Sequence, residues 1–428
     1  MHINNINIVA MFGHLQLMLL QLELGIARFI FGRRILRRGA DRRWWVRPWL
    51  LRRPVLGHYD RLLRELRTED LGSYNNFLRV SPELFDEIVA RISPAIEKED
   101  TFYRKALSPG LKVAITLRYL ATGDSYATLQ YDFRVGKSSI SRLIPEVCDA
   151  IINTYQDEEI CCPTTPQQWQ EKAKVFQQTW NVPHAMGAMD GKHVAIRCPM
   201  GSGTQYYNYK GFYSIILFAL VDADYKYLWV DVGTNGSCSD AQVFNRSELK
   251  AAIEDDSIGF PPASRLPGET RMLPYYLLGD DAFALKPWLM KPYSRRNMTH
   301  GQRIFNYRLS RGRRVVENVF GITAARFQVL LGTMRQKPEI VTKVTLACCI
   351  LHNILRRNDK AHASLMDSED ADHNLVPGAW RLEGQLVDAG HIAAANNSSS
   401  AAGKLQRLYL TNYLNSNRGS VSWQERMI

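Results

Sequence analysis

Three acidic residues stand where carboxylates could work together. Asp190 lies inside an apolar segment rich in β-branched residues, Asp280 ends another, and Glu317 falls in a helical pattern. A carboxylate inside a buried strand is unfavourable unless it is paired or holds a metal. Carboxylates are ligands that Mg²⁺ and Mn²⁺ prefer. Two such ions about 3.5–4 Å apart can activate a water and stabilise the leaving oxygen of a phosphodiester.

Asp190 and Asp280 also have ordinary structural interpretations. Asp190 precedes Gly191, and an Asp-Gly pair beside a strand is more often a turn than a site. Asp280 could be solvated at the end of its strand, and Asp281 beside it makes the assignment ambiguous by one residue. Gly191 would also let a ligand or another backbone come close to the strand.

Glu317 and a fourth acid, Asp240, also have both a structural and a functional interpretation. Glu317 follows Arg313 by four residues and could form a surface ion pair. It shares a helix face with Gly321 and Ala324, which would let that helix approach the sheet closely. Asp240 stands at the start of a predicted helix, where the dipole favours an acid, or it is a fourth metal ligand.

The elements that must position these acids follow a mixed order. Apolar runs predict strands at 185–197, 213–222, 225–232 and 275–278, with helices at about 239–252, 313–330 and 340–355. Strands grouped before a helix are not a doubly wound alternation. This order is similar to that of the ribonuclease-H-like nucleases. It favours an α/β mixed-sheet catalytic domain in which Asp190, Asp280 and Glu317 converge at one sheet edge.

An all-α segment precedes that domain and contains a helix-turn-helix pattern. Residues 125–144 read as a helix, a tight turn at Val135-Gly136 and a second helix. Lys137, Ser139 and Arg142 would project from the second helix towards a DNA groove or its phosphates. Pro145 should kink or shorten this helix. The alternative is an ordinary helix pair in a bundle.

The charge of the chain favours a polyanionic partner. The net charge is +12 and the pI is about 9.3, which points to nucleic acid first and to an acidic membrane surface second; simple solubility is the alternative. Nine arginines, Arg42 and Arg43 among them, surround three tryptophans between residues 33 and 53. This cluster could bind DNA or act as a nuclear import signal, or it is a solvated basic segment.

Other function classes find little support. Residues 8–31 are apolar but are interrupted by His14, Glu23 and Arg28, so a membrane span is not expected. Seven cysteines without a C-x-x-C argue against disulfides or zinc and favour a reducing compartment. A dinucleotide site is not expected, because residues 201–204 lack the third glycine of that fingerprint.

Joint motifs identify a family resemblance over about residues 59–355. The chain resembles the PIF/Harbinger transposases and their domesticated nuclease relatives. The matching segments are Met189-Asp190-Gly191-Lys192-His193-Val194, Gly236-Ser237-Cys238-Ser239-Asp240-Ala241, Leu278-Gly279-Asp280-Asp281-Ala282-Phe283-Ala284-Leu285, Arg314-Val315-Val316-Glu317-Asn318-Val319-Phe320-Gly321-Ile322 and Cys349-Ile350-Leu351-His352-Asn353.

The resemblance implies a metal-dependent DNA endonuclease or transposase of the DDE type. Asp190, Asp280 and Glu317 would be its catalytic acids, with Mg²⁺ or Mn²⁺ as cofactor and Asp240 as a further metal position. Ser239 stands before Asp240, where some relatives carry His. The resemblance also implies a nuclear location, with the cytoplasm as a second site, and a separate Myb/SANT-like partner that helps to bind DNA.

The predicted organisation has four parts. These are a basic segment at 1–58, a helical domain at 59–160, the nuclease domain at 181–356 and a polar tail with a short helix at 357–428. The second hypothesis is a domesticated DNA-binding protein that has lost cleavage. The sequence leaves the DNA target and the oligomeric state open, a homo-oligomer included.

Overall fold

The computed structural model describes residues 15–26, 46–102, 105–358, 365–382, 384–388 and 399–428. The chain divides into two compact units, residues 1–52 with 99–106, and residues 53–98 with 107–428. In the first unit, helix α1 (Leu15–Ile26) presents exposed apolar side chains and α2 spans Pro48–Leu51. Arg42 and Arg43 lie outside the described residues, so their role stays a prediction.

The second unit opens with helices whose boundaries follow from local capping. Their bounds are α3 Arg53–Leu56, α4 Leu62–Glu69, α5 Leu71–Leu78, α6 Pro82–Ile96, α7 Pro109–Thr122, α8 Tyr126–Phe133, α9 Lys137–Glu159 and α10 Pro166–Trp180. Ser81 and Ser108 accept hydrogen bonds at the starts of α6 and α7, with Pro next in each case, as predicted. Gly123 ends α7 at φ 71°, in the left-handed region that favours glycine.

Helices α8 and α9 are the pair that the helix-turn-helix pattern predicts. Lys137 and Arg142 are exposed and Ser139 is half-buried, while DNA contact by these residues stays a prediction. Pro145 does not shorten the helix, one of the two expected effects, because α9 continues through it to Glu159. The carbonyl that loses its helical partner belongs to Ser141, which is exposed and can be hydrated, and the opposite face of α9 is fully packed.

A mixed sheet forms the centre of the unit. Its main strands are β1 Ala185–Ala195, β2 Ser214–Val221, β3 Tyr227–Asn235, β6 Tyr276–Leu278 and β7 Leu289–Met290, in the order β3-β2-β1-β6-β7. The hairpin β4 (Ser264–Arg265) and β5 (Met272–Leu273) lies apart. Strand β2 runs antiparallel to both of its neighbours, β1 and β3, whereas β6 runs parallel to β1 and to β7. The predicted mixed α/β architecture is confirmed.

The helices that follow the strands differ in length from the predictions. The predicted helix at 239–252 is two short helices, α11 (Asp240–Arg246) and α12 (Glu248–Glu254), because Ser247 caps the second. Helix α13 (His300–Arg326) begins earlier than predicted, at a capping box on Thr299. Helix α14 spans Pro338–Asn358.

Helix α14 packs against both the helical segment and the sheet. Lys343 on α14 pairs with Asp149 on α9 at 2.6 Å, and Asn353 bonds the backbone of both Glu159 and Tyr227. Helix α14 is also long and apolar enough to cross a membrane by length and composition alone, although two thirds of its most apolar part is buried in the protein. Its packing accounts for this composition without a membrane.

The described residues after α14, where a polar tail with a short helix is predicted, pack in part on the rest of the unit. It contains the short strands β8 (Ser368–Glu369), β9 (Leu375–Val376) and β10 (Val387–Asp388), and helix α15 (Ala401–Leu414). Trp380 is buried against α13, and its indole N–H donates to Asn318 Oδ1 at 2.7 Å. Strand β10 pairs with β1 at Lys192 and His193.

Candidate active site: a buried carboxylate cluster

Three carboxylates meet at the centre of the sheet. Asp190, Asp240 and Asp280 are all buried, and each offers an oxygen that lies within 4.8 Å of those of the other two. Asp190 lies inside β1, Asp280 lies two residues after the end of β6, and Asp240 opens α11. The structure therefore joins two of the predicted catalytic acids with the predicted further metal position.

Gly191 allows Asp240 to reach β1. A Cβ atom on Gly191 would lie 2.0 Å from Asp240 Oδ1 and 2.7 Å from its Cγ, which is closer than any side chain permits. A close approach therefore occurs at this glycine, but the approaching group is the Asp240 side chain and not the backbone or ligand that was predicted. Asp240 itself is held by the start of α11, where Ser239 and Gln242 form a capping box.

Asp280 and its neighbour Asp281 have different environments. Asp280 is buried and accepts a hydrogen bond from the backbone N–H of Ala282 at 2.9 Å, whereas Asp281 is exposed. Strand β6 runs parallel to β1 and pairs Leu278 with Ala188, so Asp280, two residues further on, comes beside Asp190. The structure thereby assigns Asp280, and not Asp281, to the cluster.

Glu317 lies near the cluster but is bound to a cation. Its Oε1 accepts a hydrogen bond from Arg313 Nη2 at 2.8 Å, and its side chain is 36% exposed. Arg313 Nη1 also lies 3.6 Å from Asp190 Oδ1. Glu317 therefore forms the i,i+4 ion pair of its ordinary structural interpretation, but this pair lies beside Asp190 rather than on a remote surface.

Lys192 is a second cation beside Asp190. The two side chains share one face of β1, because residues two apart in a strand point the same way, and Lys192 Nζ lies 3.3 Å from Asp190 Oδ2. Lys192 also forms a salt bridge with Asp388 of β10. The strand period could have indicated Lys192, but nothing local indicates Asp388, which is 196 residues further along the chain.

The electrostatics of the cluster favour an added positive charge. Burial, reinforced by Asp190 and Asp280, raises the pKa of Asp240 well above its usual range. Burial alone would lower the pKa of Lys192, but Asp190 and Asp388 outweigh this effect, so the pKa of Lys192 is raised and the side chain stays charged. The same balance raises the pKa of Arg313.

The residues present fit a divalent cation. Asp240 Oδ1 is buried and has no hydrogen-bond partner among the described residues, although buried polar atoms are nearly always satisfied. Three carboxylate oxygens are a hard donor set of the kind that Mg²⁺ and Mn²⁺ bind. Asp190, Asp240 and Asp280 can therefore hold one such cation, which would satisfy the orphaned oxygen.

One predicted contact near Glu317 is wrong. Gly321 was expected to let α13 approach the sheet, but a Cβ there would meet the Trp380 ring at 2.0 Å. The close approach to the sheet occurs at Gly312, where a Cβ would lie 2.9 Å from Leu278 Cδ1. The difference arises because Gly321 lies on a different face of α13, which the segment after α14 covers.

The sequence of this region matches a known family. Residues 189–353 match the family described as DDE superfamily endonuclease, and this range contains the whole carboxylate cluster. The chain contains a DDE endonuclease domain. The family resemblance predicted from the motifs is thereby confirmed.

The similarity to curated proteins extends beyond the endonuclease domain. The chain is 26% identical to "Putative nuclease HARBI1" of Xenopus laevis, over 72% of this chain and 87% of the relative. It is 28% identical to the human protein of the same name, over 70% and 82%. It is 24% identical to "Protein ALP1-like" of Arabidopsis thaliana, over 67% and 71%. No solved structure matches the chain.

Proposed function

We propose that the protein is a metal-dependent DNA endonuclease with a ribonuclease-H-like catalytic domain. The observation that carries this proposal is the meeting of Asp190, Asp240 and Asp280, one of whose oxygens is buried without a hydrogen bond from any described residue. The DDE endonuclease domain supports the same class of reaction. Residues Asp190, Asp280 and Glu317 are the proposed catalytic acids, and Asp240 is a further metal ligand.

The proposed cofactor is Mg²⁺ or Mn²⁺, in the two-ion arrangement of phosphodiester hydrolysis. Such ions, when bound, activate the attacking water and stabilise the leaving oxygen. The three aspartates would hold one cation, and Asp190 with Glu317 would hold the other. Glu317 would then exchange its bond with Arg313 for the cation, while Arg313 would remain beside Asp190 as a fixed positive charge.

The proposed substrate is duplex DNA, bound in part by α8 and α9. Lys137 and Arg142 are exposed at the start of α9 and could neutralise phosphates, with Ser139 beside them. The net charge of +12 supports a polyanionic substrate. A Myb/SANT-like partner and a nuclear location are proposed from the family resemblance alone, and co-purification and imaging of a tagged chain test them.

The nuclease proposal is tested by nicking of supercoiled plasmid in Mn²⁺ and in Mg²⁺. We expect Asp190→Ala and Asp280→Ala to abolish nicking, and Glu317→Ala to reduce it at least about a hundredfold, because each removes charge from the reacting centre. Asp281→Ala is the matched control, since this acid is adjacent to Asp280 but exposed. It should nick like the wild type.

Two outcomes would contradict the nuclease proposal. Nicking that persists in the Asp190 and Asp280 variants would point to a contaminating enzyme. Wild-type protein that binds DNA and never nicks it would favour the second hypothesis, a domesticated DNA-binding protein. Thermal unfolding of each variant separates loss of the site from loss of the fold.

A further inference from the structure

We propose that Lys192 binds a phosphate of the DNA substrate. In the free protein Asp388 of β10 forms a salt bridge with Lys192 instead, so that Asp388 and the DNA phosphate compete for the same ammonium group. This inference rests on the proposed function, because it takes DNA as the ligand of the carboxylate cluster. It assigns a role to the segment after α14, which lies outside the region that matches the endonuclease family.

The position of Lys192 places a buried positive charge beside the cluster. Its side chain is 9% exposed, and its ammonium group lies 3.3 Å from Asp190. A phosphodiester that is cut at Asp190 must come within reach of this group. Lysine is a common phosphate ligand that acts as a point charge with three donors, so Lys192 can bind a phosphate oxygen while it remains beside Asp190.

The position of Asp388 covers Lys192 from the solvent side. The Asp388 side chain is 63% exposed, whereas Lys192 is buried, and the two form a salt bridge. Strand β2 lies along one edge of β1, so β6 and β10 use its other edge. Strand β6 pairs with Ala185–Ala188, and β10 pairs with Lys192 and His193. Asp190 therefore lies between the two stretches of β1 that pair with these strands.

The described pairing of β10 with β1 is short. Among the described residues, two of β10 pair with β1, against eight in the β1–β2 ladder. The Tyr209 hydroxyl donates to the Asp388 carbonyl at 3.3 Å, and Leu386, just before the strand, is buried in the core. These contacts hold the backbone of β10 and leave the Asp388 side chain able to turn away from Lys192 while the strand stays paired. Once the Asp388 carboxylate has moved away, a phosphate, which is also an oxygen anion, can take its place beside Lys192.

The other cation beside Asp190 has a similar arrangement. Arg313 contacts Asp190 and is also bound by the partly exposed carboxylate of Glu317. Each cation next to Asp190 thus holds a second carboxylate that faces solvent. Glu317 lies inside the family-matched region and has a proposed metal role. Asp388 has no such role, and competition with the substrate explains its position.

The test is the affinity for a short fluorescein-labelled duplex, measured by anisotropy with the full chain in Ca²⁺, which supports binding without cleavage. If the salt bridge between Asp388 and Lys192 is formed in about nine tenths of the free molecules, Asp388→Ala should tighten DNA binding about tenfold. Lys192→Gln should weaken binding several-fold. In the Lys192→Gln background, Asp388→Ala should change affinity by less than about twofold, because the two residues act through each other.

Asp372→Ala is the control for simple removal of negative charge. Asp372 lies in the same segment, is exposed and pairs with Arg426 at 3.2 Å, on the surface. Its loss should change affinity by less than about twofold. Lys192→Met, which keeps most of the side-chain length, replaces Lys192→Gln if thermal unfolding shows that the Gln variant does not fold.

Three results would overturn the inference. These are no tightening in Asp388→Ala, equal tightening in Asp372→Ala, or tightening that persists in the Lys192 variant background. Plasmid nicking in Mn²⁺, measured in parallel, separates this inference from the nuclease proposal. The expected affinity pattern without nicking would support the Lys192 site and contradict the nuclease, whereas nicking with a flat affinity pattern would do the opposite.

Discussion

At the scale of single residues, the buried carboxylate cluster is electrostatically unfavourable without a cation. Asp240 is buried with two other acids close by, and its Oδ1 accepts no hydrogen bond from the described residues. Active sites often contain such local instability because the ligand relieves it. The raised pKa of Asp240 makes this instability depend on pH.

The sign of that dependence follows from linkage. The folded protein keeps a proton on Asp240 at pH values where the unfolded chain has lost it, so the free energy of unfolding falls as pH rises from about 4 towards the pKa of the folded state. Without divalent cations, Asp240→Asn should raise the free energy of unfolding at pH 7.5 by on the order of 1 kcal/mol. At pH 4 the two proteins should be nearly equal.

The measurement is thermal unfolding with and without Mn²⁺ at both pH values. A cation at a hundred times its Kd would stabilise the wild type by about 2.7 kcal/mol, and Asp240→Asn should lose most of this gain. Asp281→Asn, at an exposed site, should behave like the wild type. A lower melting temperature for Asp240→Asn at pH 7.5 without cations would contradict the argument.

At the scale of elements, α13 brings Arg313 and Glu317 to the sheet through a glycine. Gly312 allows the helix to pack against Leu278 of β6 and Val182, which a Cβ would meet at 2.9 and 3.0 Å. Leu278 lies two residues before Asp280, so the same contact sets the distance between the helix and the cluster. The spacing of this helix and strand is therefore a property of the site as well as of the core.

Gly312→Ala should separate activity from stability. Overpacking at a close contact costs about 1–3 kcal/mol, but alanine regains about 1 kcal/mol of helix propensity, so the net loss of stability should be small. A shift of the helix by a fraction of an ångström should still lower Mn²⁺-dependent nicking about tenfold or more. Nicking assays and urea unfolding measure the two effects.

Gly332→Ala is the control for this substitution. A Cβ on Gly332 would meet no atom within 4 Å, so both stability and nicking should be unchanged. Unchanged nicking in Gly312→Ala as well would mean that the spacing of α13 does not control the site.

At the scale of the whole molecule, helical and α/β segments share one compact unit. The predicted boundary between residues 160 and 181 stays a prediction, but α9 and α14 pack together across it through Lys343, Asp149 and Asn353. DNA bound at the start of α9 would therefore be held by the same unit as the carboxylate cluster.

The proposed DNA contact of α9 predicts a change in salt dependence. The double substitution Lys137→Ala with Arg142→Ala should weaken duplex binding and reduce the magnitude of the slope of log affinity against log salt by about two. Each phosphate that is no longer contacted keeps its counterions, so fewer counterions are released on binding. Mn²⁺ stabilisation should be unaffected. Lys404→Ala, at another exposed lysine, is the control, and an unchanged slope in the double variant would exclude the contact.

Several features of this protein were determined by the sequence alone. Helix starts at Ser81 and Ser108 and the strands around Asp190 and Asp280 were predicted, because caps and hydrophobic periodicity act between near neighbours. The mixed order of strands and helices, with the motifs around the acids, also predicted the endonuclease class. The start of α13 was missed because its capping box on Thr299 was not recognised.

Only the tertiary structure decided which carboxylates meet. The sequence ranked Glu317 above Asp240, whereas Asp240 joins the cluster under Gly191 and Glu317 binds Arg313. The link between Lys192 and Asp388 spans 196 residues and has no local pattern. Such contacts depend on the register of strands and on the balance of charges from distant segments, and neither quantity is a property of neighbouring residues in the chain.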